Sequence, residues 1–137
     1  MANEFGRQIR DTVLKITKAL PGTSASNTTD TIDLGSLGIV PEDVVVEIAI
    51  PAIAEHVTAG NHLNITLWHG DTTSIAVPTS PVPTISVDDI GVASTGTSAS
   101  TWLFKLPPGT KRYIGFRQVA GGTDTLSGSS VTYSILV

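Results

Sequence analysis

The chain has 137 residues, which is long enough for one domain with a buried core. Its net charge of −4 argues against nucleic acid as the main partner, because phosphate binding needs a basic face, and the absence of cysteine excludes a disulfide framework and a thiolate zinc site. No apolar run approaches the roughly 20 residues that span a bilayer. The charged fraction of only 15% therefore points to a large core or to subunit contacts, and we expect no membrane partner.

Residues 1–30 differ from the rest of the chain, and we predict that they form an N-terminal arm and linker. Apolar residues recur every three to four positions over residues 5–20, which fits a short helix stopped by Pro21. The β-branched residues within 12–17 favour an extended arm instead, so both conformations stay open. Residues 23–29 are rich in Ser, Thr and Asn and predict a flexible linker. The segment has no secretion signal, so we expect synthesis in a cytosol.

From residue 31 to residue 137 the sequence predicts an antiparallel β-sandwich of seven or eight strands. Apolar and polar residues alternate in short segments, and Gly, Pro, Asn and Asp separate these segments, as in jelly-roll or immunoglobulin-like sandwiches. The predicted strands are 44–50, 62–68, 84–87, 90–94, 101–106, 112–119 and 130–137.

Prolines and a carboxylate pair interrupt this pattern in the middle of the chain. Pro78, Pro81 and Pro83 rule out a central strand there and predict an exposed loop or a sheet corner. Asp88 and Asp89 separate two weak strands, and we interpret them as a turn; adjacent side chains on a strand diverge, which argues against a calcium site or a catalytic carboxylate pair.

No pattern in the sequence indicates catalysis. There is no Gly-x-Ser-x-Gly elbow, no phosphate-binding glycine loop and no His-Glu-x-x-His motif. We interpret His56, His62 and His69 as histidines of the surface or of strand ends. The chain is therefore predicted to be no enzyme and to have no catalytic residue, no cofactor and no metal site.

Trp68 is the aromatic residue that suggests binding. It shares the polar face of its predicted strand with Asn64 and Thr66, so we expect it to be exposed. An exposed tryptophan on a sandwich serves as an interface anchor or as a platform for sugar stacking. The first is favoured because no second aromatic residue follows at the spacing of a sugar site.

Positive charge is confined to the two ends of the sequence. No Lys or Arg occurs between Lys18 and Lys105, although nine of the twelve acidic residues lie there. The basic blocks are therefore predicted to contact acidic neighbours, with the arm reaching over an adjacent subunit. The candidate interface residues are Arg7, Arg10, Lys15, Lys18, Trp68, Lys111, Arg112 and Arg117.

Two segments resemble a known family. They are Ser26–Gly35, a polar linker that leads into Ile-Asp-Leu-Gly, and Leu106–Phe116, with the sequence LPPGTKRYIGF; a closing strand at 128–137 follows. Together they resemble the jelly-roll cement, or decoration, proteins of tailed bacteriophage capsids of the short-tailed type. The resemblance covers most of the chain after residue 23.

The resemblance implies a jelly roll of about eight strands over residues 31–137 and a structural role without an enzymatic site. Such a protein would decorate the outer surface of a virion, bridge subunits of the major capsid protein, and assemble in the host cytoplasm. Members of the family are thought to pair as dimers, so we favour a dimer over a trimer, with no direct contact to nucleic acid. The alternative is a carbohydrate-binding or adhesion module that uses Trp68, Asp88 and Asp89.

Overall fold

Two antiparallel β-sheets make up the part of the chain that the structure, a computed structural model, describes. The described residues are 10–35, 43–71 and 81–136, with the backbone alone at 10–14 and 81–84. They contain no helix long and apolar enough to cross a membrane. Their strands are β1 (Arg10–Ala19), β2 (Ser26–Thr28), β3 (Ile32–Asp33), β4 (Val45–Ile50), β5 (His62–Gly70), β6 (Pro81–Ile90), β7 (Ser100–Lys105), β8 (Tyr113–Gly121) and β9 (Ser130–Leu136).

The strand order is that of a jelly roll. Sheet A has the order β1-β9-β4-β7, and sheet B has the order β2-β8-β5-β6, with β3 also paired to β8. All pairs are antiparallel, and the chain passes repeatedly between the two sheets, as two Greek keys require. The prediction of an all-β jelly-roll sandwich is confirmed.

Period-two alternation places one side of each strand in the core between the sheets. In β4, for example, Val46, Ile48 and Ile50 are buried, whereas the intervening residues are half-buried on the outer face. Phe116 of β8 and Tyr133 of β9 stack across the core with ring centroids 4.1 Å apart, which joins sheet B to sheet A.

The described part of the predicted arm is a strand of sheet A. Residues 10–19 form β1, so the extended alternative holds for them and the helix does not. β1 pairs with β9, Ile16 packs against the core, and Leu20 is buried immediately after the strand. The β-branched residues fit this pleated, half-buried position. Residues 10–19 therefore belong to the sandwich and not to a separate arm, and residues 1–9 lie outside the described residues.

The prediction of a flexible linker at 23–29 is wrong for this segment. Thr23 and Thr125 share a hydrogen bond of 2.8 Å between their hydroxyl groups, and the Ser24 hydroxyl donates to the carbonyl of Gly122 at 2.6 Å. β2 follows at once and pairs with β8. The polar composition of this segment suggested solvent exposure and flexibility. In the structure the hydroxyl groups of Thr23 and Ser24 instead form hydrogen bonds with the loop between β8 and β9.

β2 and β3 are two parts of one interrupted edge strand. Both pair with β8, and the register shifts by one residue between them. Across the interruption the Thr29 amide donates to the carbonyl of Phe116 at 2.9 Å, and the Phe116 amide donates to the Thr29 hydroxyl at 3.0 Å. Counted in this way, the described sandwich has the eight strands of a jelly roll.

The observed strand β6 contradicts two predictions made for residues 81–90. Residues 81–90 form one strand that runs through Asp88 and Asp89, where a turn was predicted. Pro81 and Pro83 lie within it, although an exposed loop was expected there. β6 is an edge of sheet B, and an edge tolerates proline because one side of the strand has no partner to bond. Pro78 lies outside the described residues.

Candidate functional site: the two ends of the sandwich

Strand register brings Arg10 of the N-terminal basic block to the same end of the sandwich as Lys105, Lys111 and Arg112 of the C-terminal block. Arg10 is the first residue of β1, and Lys105 is the last residue of β7. Through their pairing with β9 and β4, both residues lie at the same end of sheet A. The turn from β7 to β8 places Lys111 and Arg112 at this end of sheet B. We call this end, defined by Lys105, Lys111 and Arg112, the basic end.

Arg112 is held by a paired carboxylate. Its Nε donates to Asp33 Oδ1 at 2.7 Å and its Nη2 donates to Asp33 Oδ2 at 2.9 Å. The hydrogen bonds that Arg112 donates to Asp33 raise the pKa of Arg112, and the guanidinium carbon lies 5.1 Å from the ring centroid of Tyr113. A Cβ at Gly35 would lie 2.6 Å from Nε of Arg112, so glycine makes room for the side chain. Arg112 is fixed in place while its side chain stays 53% exposed.

Lys111 is tied to the end of β5. Its amide donates to Nδ1 of His69 at 3.1 Å, and its Nζ lies 3.4 Å from Asp71 Oδ2. Burial lowers the pKa of His69, and the nearby Lys111 charge lowers it further. The ring is therefore neutral at pH 7 and can accept the hydrogen bond. The ion pair between Lys111 and Asp71 is exposed, so the ammonium group of Lys111 stays accessible to a partner.

The opposite end of the sandwich, which we call the acidic end, has no compensating cation in its loops. Residues 51–61, 91–99 and 122–129 contain no Lys or Arg. Asp33, Asp43 and Asp71 offset the three cations of the basic end, so that end is close to neutral. The charged body is therefore polarised along its length. The carboxylates of the acidic end are Glu55, Asp88, Asp89 and Asp124.

His56 lies at the centre of the acidic end, and its interpretation as a surface histidine is wrong. The residue is 0% exposed. Its Nδ1 lies 3.1 Å from Asp124 Oδ2, and its Nε2 lies 2.9 Å from the backbone carbonyl oxygen of Asp89. Both partner atoms are hydrogen-bond acceptors. His56 thereby connects the loop after β4 with β6 and with the loop after β8.

The two carboxylates beside His56 have opposite environments. Asp124 accepts hydrogen bonds from the Thr58 hydroxyl at 2.6 Å and from the Thr58 amide at 3.0 Å. These bonds, together with the one from His56, lower the pKa of Asp124 to about 2. Burial instead raises the pKa of Asp89, whose Oδ2 has no hydrogen-bond partner among the described residues.

We expect Asp124→Asn and Asp89→Asn to change stability in opposite directions at pH 7. The lowered pKa of Asp124 means that its carboxylate stabilises the fold above the unfolded value near 3.9, and that this contribution is lost as the pH falls toward 2. The raised pKa of Asp89 means that its charge destabilises the fold at neutral pH. Thermal unfolding from pH 7 to pH 2 should show a lower Tm for Asp124→Asn and a higher Tm for Asp89→Asn, with both differences shrinking in acid. Equal shifts of the same sign would contradict this assignment.

His62 fits the interpretation as a surface histidine. Its Nδ1 lies 2.8 Å from Asp88 Oδ2, and both side chains are nearly half exposed. Within the described ranges no group of three or more His, Cys, Asp and Glu side chains could hold a metal ion. Four ionisable side chains of this end bond to one another or to the backbone: His56, His62, Asp88 and Asp124.

The prediction of an exposed Trp68 is wrong, although its face was assigned correctly. Trp68 shares the outer face of sheet B with Thr66, and its Nε1 donates to the Thr66 hydroxyl at 2.7 Å. The residue is nevertheless only 5% exposed, and the guanidinium carbon of Arg117 lies 5.9 Å from its ring centroid. Alternation decides which face a side chain takes, but only the tertiary structure decides whether that face is covered. Trp68 therefore offers neither a sugar platform nor an interface anchor in this conformation.

The remaining predicted interface residues are scattered. Lys15 and Lys18 lie on β1, where Lys18 is opposite Val131 and close to the acidic end. Arg117 lies in the middle of β8, on the outer face with Trp68. Arg7 lies outside the described residues, and for Arg10 the structure describes the backbone alone. Of the eight candidates, Lys111 and Arg112 are the two whose described side chains lie together at one end.

Sequence reasoning missed the exposed apolar residues of β7. Trp102 and Phe104 share the face of β7 that lies opposite the buried residues Ile48 and Val46 of β4, yet Trp102 is 43% exposed. Leu103, on the other face, is 61% exposed. The apolar residues on both faces of a six-residue strand were the available signal, because such a strand is either central or uncovered.

The comparison with known proteins supports the fold. No protein-family model matches the chain, and no curated protein matches it in sequence. Among solved structures, the PBSX exported protein XepA is similar to it with a TM-score of 0.51 and 16% identity over 96% of this chain and 37% of that protein. At this identity the likeness concerns the fold alone.

Two further structures are less similar. The carbohydrate-binding module CBM27-1 of Caldicellulosiruptor saccharolyticus, crystallised with mannohexaose, has a TM-score of 0.49 and 6% identity over 96% of this chain and 81% of the module. A structure of infectious bursal disease virus, Gx strain, has a TM-score of 0.45 and 13% identity over 96% of this chain and 32% of the viral chain. Neither likeness favours one function over another.

Proposed function

We propose that this chain is a structural virion protein that decorates the outer surface of a bacteriophage capsid. It stabilises the shell by bridging subunits of the major capsid protein, acts without a cofactor or metal, and assembles with the capsid in the host cytoplasm. The resemblance of Ser26–Gly35 and Leu106–Phe116 to jelly-roll cement proteins supports this role, and so does the jelly-roll fold.

The observation that carries the proposal is the polarity of the sandwich. Lys105, Lys111 and Arg112 lie at one end, and the loops of the other end hold carboxylates without any Lys or Arg. A decoration protein needs one end that attaches to a shell and another that faces solvent. Exposed cations at the basic end suit an acidic capsid surface, whereas an uncompensated acidic end repels a second layer of the same protein.

The internal use of polar groups supports a structural rather than an enzymatic role. His56 and Asp124 bond to each other inside the acidic end, and Arg112 bonds to Asp33 at the basic end. A catalytic acid, base or nucleophile must instead reach a substrate from a cleft. In the described part of the chain, these groups hold loops together.

Shell stabilisation follows from mass action. A protein that binds the assembled shell and not the free subunits shifts the equilibrium toward the shell by RT ln(1 + [L]/Kd). Contact with two subunits at once raises the effective concentration of each weak contact. Many copies with modest affinity can therefore strengthen a capsid.

Neutralising the basic end tests the proposal. We expect Lys105→Gln combined with Lys111→Gln to weaken binding to purified, undecorated capsids about tenfold, which corresponds to about 1.4 kcal/mol, because exposed charges steer and hold the attachment. Binding is measured as copies per capsid over a range of protein concentrations and at two salt concentrations. The difference between wild type and variant should shrink in high salt.

A matched control separates position from net charge. Ala59→Glu combined with Ser98→Glu lowers the net charge by the same amount at exposed positions of the acidic end, and we expect it to bind as wild type does. Equal weakening by both variants would contradict attachment through the basic end. Failure of the wild-type protein to decorate capsids would overturn the function itself.

The carbohydrate-binding alternative loses one of its three residues, because Trp68 is 5% exposed, whereas the Asp88 side chain stays 46% exposed. A glycan array with the wild-type protein tests what remains of it. Specific retention of a glycan, together with no binding to capsids, would favour an adhesion module over the proposed function.

A further inference from the structure

Strand β7 is an edge of sheet A with uncovered apolar side chains. Trp102 is 43% exposed on the core-facing side, and Leu103 is 61% exposed on the outer side. Phe104 is half-buried beside them. An edge of this kind, with unpaired backbone groups and apolar side chains, is a template for pairing with another strand.

The other sheet edges carry features that oppose pairing. β1 has Lys15 and Lys18, β6 contains Pro81 and Pro83, and the edge formed by β2 and β3 is interrupted. Natural proteins use lysines, prolines and irregularities to keep edges from associating. Along β7 the charge is confined to Lys105, the last residue of the strand. Among the described edges, β7 is therefore the one suited to strand pairing.

The hydrogen bonding of β7 shows which of its backbone groups are free to pair. The amide of Leu106 donates to the carbonyl of Val44 at 3.1 Å, so the backbone groups of Leu106 point toward β4. Backbone groups alternate in direction along an antiparallel strand. Those of Thr101, Leu103 and Lys105 therefore point away from β4, toward the open edge.

We propose that β7 pairs antiparallel with β7 of a second copy of this chain, across a two-fold axis at Leu103. In this register Leu103 lies opposite Leu103 of the second copy, and Thr101 lies opposite Lys105. The three outward-pointing residues of each strand then form hydrogen-bonded pairs, with about six backbone hydrogen bonds in total. The two copies of sheet A become one continuous eight-stranded sheet.

Side chains select this register. On the core-facing side Trp102 of each copy lies opposite Phe104 of the other copy, so this aromatic pair occurs twice. Both are non-hydrogen-bonded pairs, in which the side chains are closest. A two-fold axis at Trp102 would instead place Phe104 opposite Ser100 and Leu103 opposite Thr101, which separates the apolar residues. In the proposed register Lys105 meets Thr101 rather than another lysine, so no like charges oppose each other.

The contact is expected to be reversible. Pairing of two six-residue strands covers less area than the roughly 1,600 Å² of a standard interface. We therefore expect a dimer with a dissociation constant in the micromolar range, measurable with the purified protein alone. The inference does not depend on the proposed function, because the dimer forms without a capsid; a wild-type protein that dimerises but does not decorate capsids would contradict the function and not this contact.

Leu103→Lys tests the contact by placing two positive charges opposite each other on the two-fold axis. We expect it to raise the dimer dissociation constant at least tenfold in sedimentation equilibrium, because like charges directly opposite destabilise a strand pair. The matched control is Ile90→Lys, which replaces another exposed apolar residue, 51% exposed, by lysine on β6. It should dimerise as wild type does, and circular dichroism and thermal unfolding establish that both variants fold.

Amide hydrogen exchange tests the register. With rising protein concentration, exchange at Thr101, Leu103 and Lys105 should slow, whereas Trp102 and Phe104 should be protected at every concentration because they bond to β4. A wild-type protein that stays monomeric to high micromolar concentration would overturn the proposal. So would a dimer that Leu103→Lys leaves intact, or concentration-dependent protection at a strand other than β7, because the contact between the two copies would then lie elsewhere.

Discussion

A chain that lacks residues 2–20 is expected not to fold. The deletion removes β1, its ladder with β9, the packing of Ile16 against the core, and the buried side chain of Leu20. It also turns β9, otherwise an inner strand, into the edge of sheet A. The loss of a ten-residue strand is comparable to the whole stability of a small domain, about 5–15 kcal/mol. Circular dichroism and urea unfolding should show no cooperative transition.

Deletion of residues 2–9 is the matched control for this experiment. It leaves β1 complete, so we expect cooperative unfolding with a midpoint close to that of the full chain. A role of the N-terminal segment in capsid binding should be tested with the shorter deletion, because it removes Arg7 and keeps β1. If the longer deletion unfolded cooperatively at the wild-type midpoint, β1 would not be an integral strand.

Gln118→Leu is expected to cost about 3 kcal/mol of unfolding free energy. Gln118 is 0% exposed, and its Oε1 accepts a hydrogen bond from the Tyr133 hydroxyl at 2.7 Å. Its Nε2 donates to Asn27 Oδ1 at 2.7 Å and to the carbonyl of Ala19 at 3.0 Å. The side chain thus connects β8 to β9 and β2, and to the end of β1. Leucine would leave the Tyr133 hydroxyl buried without its acceptor.

Tyr133→Phe provides the comparison. It removes one hydrogen bond of the network and keeps the ring that stacks on Phe116, so we expect a smaller loss, about 1 kcal/mol. The double variant should cost less than the sum of the two, because both changes break the same bond. Urea unfolding of the three variants measures this coupling. A loss below about 0.5 kcal/mol for Gln118→Leu would show that the network contributes little.

The strands that alternation predicted most clearly are inner strands, which have a neighbouring strand on both sides. β4, with Val46, Ile48 and Ile50 directed inward, and β5, with Leu63 and Ile65, bury one face, and most residues of the other face are half-buried or exposed. In such strands a shift of one residue would expose the whole apolar set. The local pattern is therefore sufficient to assign the strand and its inward face.

The predictions that failed concern residues whose surroundings come from distant parts of the chain. Trp68 lies on the outer face, as alternation indicates, but is buried there. His56 is buried because Asp124, which follows it by 68 residues, and the backbone of Asp89 accept its hydrogen bonds. The polar segment at 23–29 is held by the loop between β8 and β9. No local signal in the sequence distinguishes these cases from solvated loops.

Local sequence patterns were enough to assign the all-β class, the inward faces of the central strands and the separation of basic from acidic residues along the chain. These follow from period-two alternation and from composition, which are local properties. Long-range strand pairing was needed to show that residues 10–19 form an edge strand, that Arg10 lies at the same end of the sandwich as Lys105, and that β7 is an edge with exposed apolar residues among the described strands. Strand order and register result from pairings between residues up to 126 positions apart, as between Arg10 and Leu136. A local sequence pattern cannot predict such pairings, because they depend on how the whole core packs.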